Sequence, residues 1–113
     1  MRNRTSLGSE LLPGTLDILI LKTLTRGPAH GYAVARHLER VSQDALRVGE
    51  STLYPALQRL LVNDWVKTEW GESELGRRAR MYRITAAGRK RLAKETAEFT
   101  RLTSTIMAIL EGA

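Results

Sequence analysis

Between Leu53 and Leu61 the apolar residues Leu53, Leu57, Leu60 and Leu61 recur at i, i+4, i+7 and i+8. That spacing is one face of an amphipathic helix, and it predicts a helix over residues 51–65. Ser51 or Thr52 can cap its start, which places Pro55 in or beside the first turn. The opposite face carries Ser51, Thr52, Tyr54, Pro55, Gln58, Arg59 and Asn63, and meets no carboxylate before Asp64. Such a face is either simply solvated or suited to base edges and phosphate oxygens in a DNA groove, so the flanking segments decide.

Two shorter helices are expected upstream. Pro13 opens the first and Gly27-Pro28 closes it, with Leu16, Ile18, Leu19, Ile20, Leu21 and Leu24 apolar almost all round. A helix of that kind is central or covered by a second subunit. The next runs from His30 to Ser42, with Tyr32, Ala35, Leu38 and Val41 as its inner stripe and Arg36, Glu39 and Arg40 outward. Leu46-Arg47-Val48 is an apolar alternation long enough for a three-residue strand. Three helices with short connections, the third polar on its outer side, make a helix-turn-helix pattern.

After residue 65 the period changes from helical to two. Val66, Thr68 and Trp70 alternate with Lys67 and Glu69, a turn-rich stretch covers Gly71 to Gly76, and Arg80, Tyr82 and Ile84 alternate with Met81, Arg83 and Thr85. This predicts a β-hairpin with Tyr82 and Ile84 toward the core, and Trp65 and Trp70 are expected in the core beside it. Thr85 is a fitting N-cap for a last helix reaching about Glu111. There Leu92, Phe99, Leu102, Ile106 and Ile109 form an a/d seam, with Glu95 as the polar interruption. That stripe is longer than a small domain can cover, which predicts a homodimer through Leu16, Leu19, Ile20 and the seam. The fold class is thus mainly α with a small hairpin: an arm over 1–10, a winged helix-turn-helix over 11–85 and a dimerisation helix over 86–113.

Charge sharpens this picture. The 113-residue chain has a formal net charge of +6, which favours an acidic polymer as partner. From Arg77 to Arg91 there are seven cations and no carboxylate. Arg77, Arg78 and Arg80 lie at the hairpin tip and returning strand, where phosphate contact is expected. There is no cysteine, and the two histidines, His30 and His37, sit roughly 10 Å apart along one helix, too far for one metal ion. His30 fits a cap and His37 an exposed side chain. Nothing converges on an active site or a cofactor site, so an enzyme is not expected. The run Ile18 to Leu21 is too short to span a bilayer, and the chain is expected in the cytoplasm.

Four segments together resemble the PadR family of bacterial transcriptional regulators, in its short form with one C-terminal helix. They are Leu12-Pro13-Gly14-Thr15-Leu16-Asp17, His30-Gly31-Tyr32, Ser51-Thr52-Leu53-Tyr54-Pro55-Ala56-Leu57 and Arg80-Met81-Tyr82-Arg83-Ile84-Thr85-Ala86-Ala87-Gly88. The resemblance implies a homodimer with recognition helices in successive major grooves, wings on the phosphates and dimerisation through first and last helices. It also implies repression, relieved in some members by a small molecule. Asp64 stands where the family often has glycine at the helix exit, and Asp tolerates the left-handed conformation needed there. Met81 replaces a common aromatic. The last helix has no tryptophan, so the residues do not support sensing of flat aromatic drugs. The alternative to DNA binding is a winged-helix docking module for another protein, although such a module needs no basic face on both helix and wing.

Overall fold

The computed structural model describes Leu11 and residues 14–112. The expected arm over 1–10 and the Pro13 helix start lie outside the described residues. The elements run α1 (Thr15–Leu24), α2 (Gly31–Val41), α3 (Glu50–Val62), β1 (Val66–Glu72), β2 (Arg78–Ile84) and α4 (Ala86–Leu110). This is a three-helix unit, a two-stranded antiparallel wing and a 25-residue helix. The core joins Leu16, Ile20, Leu21 and Leu24 of α1 to Val34 and Leu38 of α2. Leu46 of the α2–α3 connection, Leu53, Ala56, Leu57 and Leu60 of α3 and Val66, Tyr82 and Ile84 of the hairpin complete it.

Helix α2 starts as expected at His30, whose Nδ1 accepts the Ala33 N–H at 3.2 Å. Its buried face differs from the expected stripe. Tyr32 and Val41 are each 61% exposed, while Gly31, Val34 and Leu38 are buried. Residues spaced strictly by three drift backward around a 3.6-residue helix, so Tyr32 and Val41 end about 180° apart. Spacing of three then four keeps Gly31, Val34 and Leu38 on the core. Leu46-Arg47-Val48 forms no strand, although burial alternates there. It has no neighbouring strand to pair with.

Helix α3 is capped two or three residues earlier than expected from Ser51 or Thr52. Gly49 is the cap and makes no side-chain bond, so Ser51 and Thr52 lie inside the first turn. Pro55 therefore sits in the second turn, where it withholds a donor from the Ser51 carbonyl. Both residues are exposed, so water can satisfy that oxygen. The helix also ends earlier, at Val62, with a left-handed residue after its C-cap. Asp64 has φ 60°, its N–H reaches the Leu61 carbonyl at 3.0 Å, and Trp65 N–H reaches Leu60 at 3.0 Å. This pair of bonds is the Schellman exit that usually recruits glycine. Asp64 does the same work, as its residue type allows.

In the hairpin Val66 pairs with Ile84 and Glu72 with Arg78. Gly71 and Glu72 belong to the strand rather than to the turn. The tip is 73–77, closed by Ser73 N–H to Arg77 O at 2.8 Å and Gly76 N–H to Ser73 O at 2.9 Å. Gly76 has φ 76°, a conformation open to a residue without Cβ. Tyr82 and Ile84 are buried as expected. Trp70 is not: it shares a face with Val66 but is 62% exposed, because the strands run beyond the helices they pack on. Trp65 is half-buried against the core. Ala29 and Tyr82 exchange backbone bonds at 3.1 and 2.8 Å, which ties the α1–α2 turn to β2.

Helix α4 begins at the expected cap. Thr85 Oγ1 accepts the Gly88 N–H at 2.9 Å and donates to the Asp64 carbonyl at 2.7 Å, while its own N–H reaches Trp65 O at 3.0 Å. Gly88 is buried at this joint. A Cβ there would run into the Trp65 carbonyl and stand 2.8 Å from Ile84 Cγ1. We expect Gly88→Ala to destabilise the protein by about 1–3 kcal/mol, as overpacking of a tight site does. Urea unfolding of both chains at one fixed concentration measures it.

Candidate nucleic-acid interface

Every residue expected on the reading face of α3 is exposed: Ser51, Thr52, Tyr54, Pro55, Gln58, Arg59 and Asn63. They are not equally available. Arg59 is held by α1: its Nη2 lies 2.9 Å from Asp17 Oδ1 and its Nε 3.5 Å from Oδ2. Asn63 Nδ2 donates to the Arg59 carbonyl at 2.8 Å, a bond within its own helix. Gln58 has no such side-chain partner among the described residues, and it is the long polar side chain left pointing outward. Read along the chain, this face is free of carboxylates; folding brings Asp17 to it from 42 positions away.

Tyr54 rests on the start of α2. A Cβ at Gly31 would approach Tyr54 Cε1 and Oη to 3.0 Å, so glycine makes room for the ring. Tyr54, Tyr32 and Arg80 border one cleft between α2, α3 and β2. The pattern-based reading placed Tyr32 in the core and so missed it as a surface residue. The strict three-residue spacing of its stripe was the available signal. Arg36 Nη1 donates to Tyr32 Oη at 3.0 Å, and the His30 ring stacks beside Tyr32 at 6.3 Å.

On the wing, Arg77, Arg78 and Arg80 are exposed. Arg78 lies over the Trp70 ring at 4.4 Å, and Arg80 Nη2 donates to Thr68 Oγ1 at 3.3 Å. Glu74 at the tip is engaged elsewhere: its Oε1 meets His30 Nε2 at 3.1 Å. The Glu74 carboxyl is lowered by its own backbone N–H first and by His30 second. Since His30 Nδ1 is an acceptor at the cap, Nε2 carries the proton toward Glu74. His30 thus caps α2 and fastens the wing tip together.

The basic run from Arg77 to Arg91 is partly neutralised by folding. Arg83 makes two 3.1 Å bonds to Glu69, which lower the Glu69 carboxyl, and Arg91 meets Glu95 at 3.0 Å. Arg77, Arg78, Arg80, Arg89 and Lys90 make no ion pair among the described residues, although Glu72 is the cross-strand partner of Arg78. His37 is half-buried rather than exposed, and accepts from Arg26 Nη1 at 3.2 Å at Nδ1. Burial, then Arg26 and Arg40, hold its pKa below the ordinary imidazole value.

The expected dimer residues divide in two. Ile20 is fully buried and Leu16 is 6% exposed within the chain, so neither has surface left for another copy. Leu19 and Leu92 are half-buried. Phe99, Leu102, Ile106 and Ile109 remain uncovered, joined by Met107 and Leu110. Ile18 of α1 lines a groove with Phe99 and Leu102. Among the described residues no cluster of metal-ligating side chains occurs, and no helix is long and apolar enough to cross a membrane.

The Asp17–Arg59 pair gives a test. Asp17→Asn should change stability by less than about 1 kcal/mol, since the guanidinium is half exposed and such pairs contribute little. On random duplex DNA the freed Arg59 should steepen the slope of log affinity against log salt, by up to about 0.9 for each chain bound. Urea unfolding and salt-dependent binding measure the two effects.

Comparison with known proteins assigns the chain. The description "Transcriptional regulator PadR-like family" matches residues 20–94. A transcriptional regulator from Clostridium thermocellum is 32% identical, superposes with a TM-score of 0.72, and the match covers 84% of this chain and 91% of that one. A PadR family transcriptional regulator from Eggerthella lenta is 30% identical with a TM-score of 0.73, covering 88% and 85%. A PadR-like transcriptional regulator from Bacillus cereus, 24% identical, shares the fold with a TM-score of 0.79 over 92% and 99%. These are transcription factors rather than enzymes, and their winged helix with a long last helix is the architecture described above. The chain therefore belongs to the PadR-like family of transcriptional regulators, a family of DNA-binding proteins.

Proposed function

We propose that this protein is a sequence-specific repressor that works as a homodimer on duplex DNA in the cytoplasm. Helix α3 enters the major groove and the β1–β2 wing lies along the adjacent backbone. The observation that carries this is that Tyr54 of α3, one turn before the unpaired Gln58, borders one cleft with Arg80 of the wing, whose exposed Arg77, Arg78 and Arg80 make no ion pair among the described residues. Gln58 reads base edges, for which the amide is suited to adenine. Ser51, Thr52, Tyr54, Pro55 and Asn63 make shorter contacts to bases or backbone. Arg59, bound to Asp17, positions α3 against α1 and reaches the duplex only when that pair opens. The wing arginines hold phosphate, which gives affinity without sequence information.

The second copy is supported by α4. Phe99, Leu102, Ile106 and Ile109 line one seam and are about half exposed. Covering the exposed half of each contributes about 1 kcal/mol, half of what full burial gives. A partner helix on this seam, with Leu19, Ile18 and Leu92 at its edge, accounts for a 25-residue helix that its own domain leaves bare.

Selection from a random duplex pool tests the function: two similar half-sites about 10 base pairs apart or a multiple of that are expected, and recovery of unrelated sequences would defeat it. Truncation after Gly88 tests the dimer. The full chain should sediment as a dimer at micromolar concentration and the truncated chain as monomer or aggregate, whereas a compact, soluble full-length monomer would refute the pairing.

A further inference from the structure

The turn between α1 and α2 folds Arg26 back over the side of α2. Gly27 takes φ 134° in this turn, a conformation that favours a residue without Cβ, and Pro28 follows it. A cleft of about 420 Å³ results, bordered by the turn, by α2 and by Glu74 of the wing tip. That size is ordinary for a small-molecule site.

The charge of the cleft is not balanced. Arg26, Arg36 and Arg40 line it, and all three are exposed. Arg36 is engaged, since it donates to Tyr32 Oη at 3.0 Å and lies 3.7 Å from Glu39. Arg26 and Arg40 make no ion pair among the described residues. His37 stands within reach of both. Its Nδ1 is 3.2 Å from Arg26 Nη1, and Arg40 follows it at the i+3 position on the same helix face. Burial first, then these two cations, lower the His37 pKa, so the imidazole adds no charge of its own at neutral pH. Glu74 is the carboxylate of the lining, and it is turned toward His30.

The remaining walls are apolar. Pro28, Ala29 and Ala33 are small, and the Tyr32 ring stands 61% exposed beside them. Two unpaired guanidinium groups match the charge of a phosphate monoester, and their forked donors match its oxygens. The apolar walls suit an organic group attached to that phosphate. A duplex would set further phosphates against the Glu74 carboxylate, whereas a single phosphate group does not. We infer that this cleft binds a small phosphate monoester, with its phosphate between Arg26 and Arg40 and its organic group against Tyr32 and Pro28. The site is separate from α3 and does not depend on how the protein reads DNA.

Calorimetric titration of the full chain, at fixed ionic strength in a buffer without phosphate, tests the site with phenyl phosphate, phenol and inorganic phosphate. Phenyl phosphate should bind at least about tenfold tighter than phenol, which lacks the charge-assisted bonds. It should also bind at least about threefold tighter than inorganic phosphate, which covers no apolar wall. Arg26→Gln combined with Arg40→Gln should weaken phenyl phosphate at least about tenfold. Lys90→Gln removes an exposed cation outside the cleft and should leave binding unchanged. All three substituted residues are exposed, so the fold is retained. Random duplex DNA should not displace phenyl phosphate. No binding of phenyl phosphate at millimolar concentration, or no loss in the double variant, would overturn the site. Equal loss in Lys90→Gln would reduce it to net charge, and equal affinity for inorganic phosphate to adventitious anion binding. Displacement by duplex would give the cleft to the DNA backbone; each of these three results also defeats the inference.

Discussion

Three elements of this fold meet at one small joint. Helix α3 ends there in a left-handed Asp64, β1 starts from Trp65, and α4 starts from Thr85. The Asp64 and Trp65 carbonyls both accept from Thr85, through its hydroxyl and its N–H. Gly88 lets the first turn of α4 press against the same peptide, and Arg91 closes over Trp65 at 4.7 Å. Backbone groups buried at such a crossing must be paired, and here each finds a partner within the joint. The direction of α4 is therefore tied to the direction of α3. In a dimer built on α4, that tie sets how far apart two recognition helices are held.

Electrostatics is the second organising constraint. A chain with an excess of cations can be a poor discriminator if all of them seek phosphate. Folding removes several from that competition: Arg59 to Asp17, Arg83 to Glu69, Arg91 to Glu95, and Arg26 to His37. Among the described residues, those without an ion pair include Arg77, Arg78 and Arg80 of the wing. Helix α3 keeps an amide as its long outward polar group. In the proposed binding mode, the separation of backbone holding from base reading follows from which cations the fold has already paired.

The apolar surface is distributed with similar economy. In α1 the side chains of Leu16, Ile20, Leu21 and Leu24 close the core of the domain. In α4 only Phe99 and Leu102, which share a groove with Ile18, have α1 beside them, and the apolar residues from Ile106 to Leu110 are exposed. Contiguous exposed apolar patches mark interaction surfaces. On the wing Trp70 and Leu75 are exposed as well, far from that surface in sequence and on a different element.

Local patterns by themselves determined most of the architecture. Leucine spacing specified α3, the change to period two specified the hairpin, and Thr85 and His30 announced caps that exist. Even the exit of α3 at Asp64 was legible, because left-handed backbone restricts residue type locally. What only tertiary structure decided involves groups distant in sequence. Periodicity alone left Tyr32 and Trp70 inside; burial depends on where neighbouring elements end, and both lie outside. Apolarity marked Leu16 and Ile20 as dimer residues, yet the chain's own core had already consumed them. Charge along the chain offered Arg59 as free, and Asp17 reached it only after α1 packed against α3. Short-range geometry is written in adjacent residues, whereas pairing and exposure are set by which surfaces the folded chain brings together.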